Sequence, residues 1–369
     1  MKAWYEIDNV DLADSPALVV FPDRVQYNID QAISMVGKVE RLRPHIKTHK
    51  SPDVVDLMIR SGITKFKCAT IAEAEILGQA GSKDVLLAYQ PFGPKLDRFI
   101  QLIQTYPSTQ YACLVDHEMA LVQMASKAVQ HDLTLNLFLD INVGMYRTGI
   151  SPGIEAEQLY TRALSYPQFR VIGLHAYDGH IRDQDMKIRT EQCDRAFQQV
   201  VHLNENLKLI GGKELLLVCG GSLTFPIHAS RTKVECSPGT FVYWDKGFRD
   251  LYDEEKFLPA AVLITRVISN PSKDKICIDL GHKSVASEND LDKRIEFLNV
   301  QNLKPLGQSE EHLVLQHDPG QTFETGQILY GLPFHICPTV ALYERVLTVR
   351  DHKISGEWSN IARNRKITI

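Results

Sequence analysis

The sequence predicts an α/β protein, in which a TIM-like (β/α)8 barrel is followed by a smaller, mostly β C-terminal domain. Up to about residue 240, eight short β-branched runs alternate with longer amphipathic stretches, a pattern typical of a parallel sheet with crossover helices. After about residue 245, short strands and turn residues replace the helical periodicity. A chain of 369 residues is also long enough for two domains.

The barrel elements follow the order of strand, helix, strand. Residues 71–81 have helical periodicity and end on a glycine, which is a typical C-cap signal, and residues 183–212 form a second long helix-like stretch. The gap between the last two runs is too short for a full helix. The eight predicted strands are 42–49, 64–70, 84–90, 111–116, 134–141, 171–177, 214–221 and 232–239.

We place the barrel at residues 21–245 and the β domain at residues 246–369. The β domain contains the strand-like runs "AAVLITRVISN", "DKICIDLGH", "EEHLVLQHD" and "QILYGLPFHICPTVAL". Residues 1–20 carry one further strand, "SPALVVF" at 15–21, which can pair with either domain and is assigned to the β domain as an option.

Composition excludes several classes of protein. The net charge is −4, so we expect no nucleic-acid partner. The sequence has no signal-peptide core and no apolar window of transmembrane length, so we expect no membrane partner either. Seven cysteines without paired spacing favour a reducing compartment, and we therefore expect a cytoplasmic protein.

The first predicted barrel strand, in "RLRPHIKTHK" (41–50), is unusually basic. Strand alternation directs Leu42, Ile46 and Thr48 toward the helices and four other side chains toward the interior. Branched apolar residues normally fill a barrel, so a group of cations there is favourable only if it meets an anion or if some members stay neutral. The inward set is Arg43, His45, Lys47 and His49.

A lysine amine among like charges, and shielded from water, tends to be neutral and is then a nucleophile near neutral pH. Such an amine suits the aldehyde of pyridoxal phosphate (PLP), whose phosphate also supplies the missing negative charge. The alternative interpretation is a solvent-exposed edge strand with scattered basic residues.

Other candidate residues lie at the carboxyl ends of later strands. Gly220, Gly221 and Ser222 follow the seventh strand, and Gly239 and Thr240 follow the eighth, where phosphate sites of such barrels commonly lie. Turns of this composition are more often only turns.

Two further loops contribute polar groups to the same end of the barrel. In "DINVGMYRTG" (140–149), Arg147 can hold an anionic ring oxygen of the cofactor, or can form a surface ion pair. In "GLHAYDGH" (173–180), Tyr177 can hydrogen-bond the cofactor ring and His180 can act as a base, although a structural polar turn is an equal alternative.

The β domain contains a candidate metal pair. In "FHICP", His335 and Cys337 stand at i and i+2 of a β-like run, which places both on one side. Imidazole and thiolate suit zinc and other borderline ions, and two ligands leave open positions for water or substrate. Taken alone, the pair is a weak signal.

Five motifs, in this order, resemble the family of D-threonine aldolases and eukaryotic-type D-serine dehydratases, which are PLP enzymes of the alanine-racemase-like fold type. They are "RPHIKTHK", "DINVGMYRTG", "GLHAYDGH", "VCGGS" and "FHICPT". The resemblance covers nearly the whole chain. It implies a PLP barrel, a C-terminal β domain, a homodimer, and Lys47 as the residue that carries the cofactor.

The resemblance also implies a divalent metal at His335 and Cys337, where the thiolate favours zinc over manganese. A metal-held β-hydroxyl permits retro-aldol cleavage of a D-amino acid to glycine and an aldehyde, or dehydration to a 2-oxo acid and ammonia. His-x-Cys is similar to the dehydratases, whereas "ECSPGTFVYWD" and "HICPTVAL" resemble bacterial aldolases. We expect cleavage of D-threonine-like substrates, with D-serine dehydration as the alternative.

Two more distant alternatives remain. A racemase of this fold needs a second base on the opposite face and has no use for a metal pair. A non-catalytic PLP carrier is usually a single domain, whereas this chain is predicted to have a second, β domain. The segment "DLGHKSVASEND" (279–290) also resembles a substrate-side loop, without an assigned role.

Overall fold

The computed structural model describes residues 2–252 and 254–369. Within these residues the strands are β1 (Ala17–Val20), β2 (Lys65–Cys68), β3 (Asp84–Leu87), β4 (Gln110–Val115), β5 (Leu135–Asp140), β6 (Phe169–Ala176), β7 (Leu216–Cys219), β8 (Val234–Cys236), β9 (Ala261–Ser272), β10 (Lys275–Ile278), β11 (Ile295–Phe297), β12 (Lys304–Gln308), β13 (Leu313–Gln316), β14 (Ile328–Pro333), β15 (Arg345–Arg350) and β16 (Lys353–Ser359). The α-helices are α1 (Pro22–Val36), α2 (Pro52–Arg60), α3 (Ile71–Gln79), α4 (Pro94–Thr105), α5 (Glu118–Gln130), α6 (Ile154–Leu164), α7 (Met186–Gly211), α8 (Phe225–Ala229), α9 (Lys246–Leu251) and α10 (Ile336–Val340).

Strands β2 to β8 form one parallel sheet in chain order, and a helix follows each of β2 to β7. This is the alternation of parallel strands and crossover helices that the sequence predicts, so the predicted α/β fold class is confirmed, with seven strands in the sheet in place of eight. Leu86, Leu114, Phe138 and Val218 of this sheet belong to a buried apolar cluster. The final crossover helix, α8, has only five residues, as the short gap between the last two runs requires.

The prediction of a regular strand over 42–49 is wrong. Leu42 forms an isolated parallel bridge with Cys236 of β8, and His45 forms another with Lys67 of β2. Pro44 interrupts the ladder because it has no N–H to donate, and residues 46–49 form a turn. The segment therefore links the two edge strands of the seven-stranded sheet without being a strand itself, and strand alternation cannot assign its side-chain directions.

The basic cluster of this segment is balanced in two ways. Arg43 is fully buried, with its Nε 2.8 Å from Glu235 Oε2 and its Nη1 2.6 Å from Asp84 Oδ1. Burial of the His49 imidazole lowers its pKa to about 3, so this side chain is neutral near pH 7. Arg43 thus meets anions and His49 is neutral, which are the two conditions that the sequence analysis states for such a cluster.

Arg43 is fully buried and is held by the carboxylates of Asp84 and Glu235. We expect Arg43→Met to lower the free energy of unfolding by about 3–5 kcal/mol, because it leaves these carboxylates without their partner. Urea unfolding followed by circular dichroism measures this change. Arg60→Met is the matched control, because Arg60 forms an exposed i,i+4 pair with Asp56 and contributes little. Equal midpoints for the two variants would contradict the prediction.

The second sheet has nine strands and belongs mostly to the C-terminal part of the chain. Its main path runs β12-β13-β10-β9-β1-β15-β16, with β14 paired to β9 and β11 paired to β14. Strand β1 pairs antiparallel with β9 and parallel with β15, so the N-terminal strand lies inside this sheet. A buried cluster that includes Val19, Val262, Ile264 and Tyr330 forms its core.

The chain divides into two compact units. The β unit consists of Met1–Gln31, Thr48–Asp53 and Thr240–Arg363, and the barrel unit consists of Ala32–Lys47, Val54–Gly239 and Asn364–Ile369. The linear domain boundaries after residues 20 and 245 stay a prediction. In the described residues, every helix is too short or too polar to cross a lipid bilayer.

Candidate active site

In the barrel unit, three cationic side chains surround the ring of Tyr177, which follows β6. Lys47 Nζ and Lys67 Nζ each lie 5.9 Å from the ring centroid, and Arg147 Cζ lies 4.8 Å from it. Lys47 and Tyr177 are half-buried, whereas Arg147 is exposed. The structure therefore brings together a lysine amine, a guanidinium and a phenol that the sequence predicts as cofactor contacts.

His45 orients the start of the turn that carries Lys47. Its backbone N–H donates to the Pro238 carbonyl at 2.8 Å, and its Nδ1 accepts from the Lys47 N–H at 3.2 Å. The second contact identifies Nδ1 as the unprotonated ring nitrogen. His45 is buried and fixes the backbone of Lys47.

The turn after β7 is built for close approach of the backbone. Gly220 has φ +77, and a Cβ on Gly221 would lie 2.8 Å from Cε2 of Tyr177. Only glycine fits both positions without moving a neighbour. Ser222 Oγ accepts a hydrogen bond from the Gly239 N–H at 3.2 Å, which joins the loops after β7 and β8. The predicted phosphate-loop residues Gly220, Gly221, Ser222 and Gly239 thus belong to two joined loops, and Gly221 lies against Tyr177.

His180 is exposed and lies against the glycine-bounded loop after β5. A Cβ on Gly144 would approach His180 Nε2 to 2.9 Å, so the imidazole occupies the space that a side chain at residue 144 would need. Its role as a base stays a prediction.

A buried polar line next to Lys47 was not predicted. Asp140 Oδ1 lies 2.7 Å from His175 Nδ1, and His175 Nε2 lies 3.5 Å from Lys67 Nζ. Burial raises the pKa of Asp140, but the hydrogen bond and charge of His175 outweigh this and lower it, so Asp140 is ionised. In the sequence, the feature that could have pointed to Lys67 is a charged residue between two apolar residues, Phe66 and Cys68, in the second predicted strand.

The predicted metal pair lies in the β unit, but not in a strand. Strand β14 ends at Pro333, and His335 is the N-cap of α10, so the β-like alternation predicted for "FHICP" is wrong. Pro338 is tolerated there because the first turn of a helix needs no internal N–H donor. His335 and Cys337 nevertheless share a side-chain hydrogen bond, because an N-cap residue and the second residue of a helix lie on the same turn.

Polar groups surround this pair. His335 Nδ1 lies 2.5 Å from Glu288 Oε1, and Cys337 Sγ lies 3.2 Å from Thr48 Oγ1 and 3.7 Å from Thr240 Oγ1. Thr240 therefore contacts the candidate metal pair and belongs to the β unit, unlike the other predicted cofactor contacts. Glu288 comes from the 279–290 segment, which the sequence analysis left without a role.

Negative charge dominates the electrostatics of the His335–Cys337 pair. Burial alone would lower the pKa of His335, but the hydrogen bond and charge of Cys337, with the charge of Asp245, raise it to about 9. Burial raises the pKa of Asp245 to about 6, although Asp245 accepts hydrogen bonds from the Ile336 and Phe248 N–H groups. The surroundings of the pair thus favour a cation.

A second group with metal-ligand composition lies in the barrel unit. Ligand atoms of Asp178, Cys193 and His228, all buried, lie within 4.8 Å of one another. Asp178 Oδ2 is 2.9 Å from His228 Nε2, and Arg231 Nη1 is 2.5 Å from His228 Nδ1. Burial, with the charge of Asp178, raises the pKa of the Cys193 thiol to about 12. These three residues form a possible metal site that the sequence analysis did not identify.

Comparisons with known proteins agree with this architecture. Residues 20–246 match the family model "Alanine racemase, N-terminal domain", and residues 260–349 match "Putative serine dehydratase domain". A D-threonine aldolase of Arthrobacter sp. is 24% identical over 363 residues, covering 96% of this chain and 94% of the relative. A 3-hydroxy-D-aspartate aldolase of Paracoccus denitrificans (strain Pd 1222) is 25% identical over 367 residues, covering 95% and 92%.

Among solved structures, the crystal structure of D-threonine aldolase from Filomicrobium marinum is similar to this chain with a TM-score of 0.88. The match has 24% sequence identity and covers 99% of each chain. At this level of identity the match establishes the fold.

Proposed function

Because this chain belongs to the PLP-dependent family of the alanine racemase N-terminal domain, we propose that it is a lyase that cleaves β-hydroxy-D-amino acids of the D-threonine type into glycine and an aldehyde. The observation that carries the proposal is the half-buried Lys47 amine, which lies with Arg147 around the ring of Tyr177. The names of two relatives, both aldolases of β-hydroxy-D-amino acids, support the substrate class.

The residues of the barrel unit fit PLP. Lys47 offers a nucleophilic amine, and Gly220 and Gly221 fit close against His228 and Tyr177 and keep the turn after β7 free of side chains, which lets its backbone approach a phosphate group. Arg147 supplies a positive charge for an anionic ring oxygen. When bound, PLP supplies an electron sink for the negative charge that develops at Cα of the amino acid.

In this proposal, Lys47 would hold the cofactor through its side-chain amine. The ring of Tyr177 lies near the side chains of Lys47 and Arg147, and its hydroxyl would hydrogen-bond the cofactor ring. His180 takes the proton from the substrate's β-hydroxyl, because its imidazole is exposed and lies beside the loop that carries Arg147.

We assign the metal of this reaction to His335 and Cys337. Glu288 and Asp245 surround this pair with negative charge, whereas Arg231 lies 3.6 Å from Cys193 Sγ and opposes a dication at the Asp178–Cys193–His228 group. Imidazole and thiolate favour zinc, with manganese as the alternative ion. A bound ion supplies Lewis-acid polarisation of the substrate hydroxyl.

Dehydration of D-serine-like substrates to a 2-oxo acid and ammonia is the second candidate. The match of residues 260–349 to a putative serine dehydratase domain favours it, and so does the His-x-Cys composition of the metal pair. Both reactions start from the same bound D-amino acid, and they differ in which bond at Cα breaks.

Product analysis of the purified enzyme, with PLP and zinc added, separates the two reactions. We expect D-threonine to give glycine and acetaldehyde, measured by amino-acid analysis and by an aldehyde dehydrogenase assay, with L-threonine as the inactive control. If D-serine releases ammonia and a 2-oxo acid while D-threonine gives no glycine, the reaction is dehydration and the proposal of cleavage is wrong. Racemisation of alanine without metal would support a racemase, and the absence of any spectral change with D-amino acids would support a PLP carrier.

We further propose that the protein is a cytoplasmic homodimer. All seven cysteines are free thiols in the structure, which supports a reducing compartment. Light scattering during size-exclusion chromatography measures the oligomeric state, and a monomer at micromolar concentration would contradict the second part of this proposal.

A further inference from the structure

The segment 279–290, which has no assigned role so far, is fastened to the helix that carries the candidate metal pair. The hydroxyl of Tyr343 donates to the Ser284 carbonyl at 2.7 Å, and the Ala286 N–H donates to Thr339 Oγ1 at 3.2 Å. Ser284, Ala286 and Thr339 are all buried. These contacts hold the middle of the segment against α10 and the residue that follows it by three positions.

Thr339 joins this segment to His335. Its hydroxyl donates to the His335 carbonyl at 2.8 Å and accepts from the Ala286 N–H at 3.2 Å. A hydroxyl has one proton and two lone pairs, so both hydrogen bonds form at the same time. Thr339 is fully buried, which shields both bonds from water. One side chain therefore sets the distance between the backbone of the segment and the turn that carries the metal pair.

Glu288 lies two residues after this anchor, and its carboxylate contacts the imidazole of His335. Glu288 Oε1 is 2.5 Å from His335 Nδ1. A carboxylate oxygen accepts, so Nδ1 carries the proton, and Nε2 is left as the nitrogen that can offer a lone pair to a metal. Metal-ligating histidines usually donate their other ring N–H to a carboxylate or a carbonyl group, which fixes the tautomer and the ring orientation.

The other acid beside the pair, Asp245, has a different task. Its Oδ1 accepts from the Phe248 N–H at 3.0 Å, and its Oδ2 accepts from the Ile336 N–H at 2.9 Å. Asp245 thus holds the backbone at the start of α9 and α10 and adds negative charge. Glu288 is the acid that contacts the ring of His335 itself.

We propose that Glu288 is a positioning residue of the metal centre, which holds the Nδ1–H of His335 and presents Nε2 to the ion. The anchored stretch 284–288 keeps the carboxylate in place for this purpose. Because Glu288 acts through His335, its loss weakens metal binding without removing a ligand. The inference rests on the proposed function, in which His335 and Cys337 bind a divalent ion.

The test measures metal affinity without substrate, so it is separate from activity. Metal-free protein is titrated with zinc in competition with a chromophoric chelator, and with cobalt(II), whose visible spectrum reports the ligands of the ion. The variants are Glu288→Ala, Glu288→Gln and Glu288→Asp. The matched control is Glu357→Gln, because the Glu288 and Glu357 side chains are 45% and 47% exposed and Glu357 pairs with Arg345 instead of a histidine.

We expect Glu288→Ala to weaken zinc binding by about 10²-fold, because the ring of His335 is no longer held. Glu288→Gln weakens it by about 10-fold, since the amide oxygen still accepts from Nδ1 but without charge. Glu288→Asp resembles Glu288→Ala, because its shorter side chain does not reach the ring. Glu357→Gln keeps the affinity of the unmodified protein, and all variants share one cobalt spectrum at saturation.

Three outcomes would overturn the inference. Unchanged zinc affinity in Glu288→Ala would leave Glu288 without a role, unchanged affinity in Glu288→Asp would reduce it to a fixed charge, and an altered cobalt spectrum at saturation would make it a ligand of the ion. Circular dichroism checks the fold, and Glu288→Gln supplies the measurement if Glu288→Ala does not fold. An unmodified protein that binds no zinc, or whose zinc survives in Cys337→Ala, would instead refute the metal assignment of the proposed function.

Discussion

Lys47→Ala abolishes covalent attachment of PLP and lowers lyase activity by at least about 10³-fold. The reason is that the variant has no amine at the end of the 42–47 segment, whereas Arg147, Tyr177 and the glycine turn stay in place. The measurement combines the absorbance spectrum of the PLP-saturated protein, borohydride trapping and the rate of glycine release from D-threonine.

Lys50→Ala is the matched control, since it removes a lysine three residues later in the same basic segment. Lys50 belongs to the β unit, where its carbonyl accepts a hydrogen bond from the Ala362 N–H, a contact that the substitution retains. We expect the control to keep the absorbance band. If the absorbance band persists in Lys47→Ala and disappears in Lys50→Ala, Lys50 carries the cofactor and our assignment to Lys47 is wrong.

Cys337→Ala has the second largest expected effect. Loss of the thiolate leaves His335 as the remaining ligand of the pair, so the bound metal falls below one equivalent and cleavage of D-threonine slows by about 10²–10³-fold. Exchange of the α-proton of D-alanine slows much less, because D-alanine has no hydroxyl for a metal to polarise. Elemental analysis and the two rates are measured on the same preparation.

The control for this variant is Cys193→Ala, which tests the other possible metal site. Cys193 lies 3.4 Å from His228 Nε2 beside Arg231, and we expect its loss to leave metal content unchanged. Metal that is lost from Cys193→Ala and retained in Cys337→Ala would place the ion at Asp178, Cys193 and His228. We expect EDTA to remove most of the lyase activity. Zinc or manganese added afterwards then restores activity only in proteins with an intact metal site.

The sequence predicts those parts of the fold that depend on local pattern. The runs at 64–70 and 134–141 become β2 and β5 because alternation of β-branched strands with amphipathic helices is visible within a window of some thirty residues. The segment 42–49 could not be assigned in this way. It pairs with β8, almost 200 positions later in the chain, and Pro44 prevents a regular ladder.

Motifs indicate which residues to group, whereas contacts between distant segments create surroundings that no motif shows. Lys47, Arg147 and Tyr177 stand in motifs, and the structure places Lys47 and Arg147 near the ring of Tyr177, while the roles of these residues stay predictions. Arg43 meets Glu235, and Glu288 meets His335, through contacts that no local pattern records. Lys67 was missed because its significance depends on Asp140 and His175, which come from two other strands.

Strand β1 constrains how this protein is made on the ribosome. Residues 17–20 are synthesised well before both of their neighbours in the sheet, at 261–264 and 347–348. The parallel sheet of β2 to β8 has its partners in chain order, so it can assemble while translation continues. The nascent N-terminal strand must stay unpaired throughout that time, and a fragment that begins after residue 245 would have an open slot between β9 and β15.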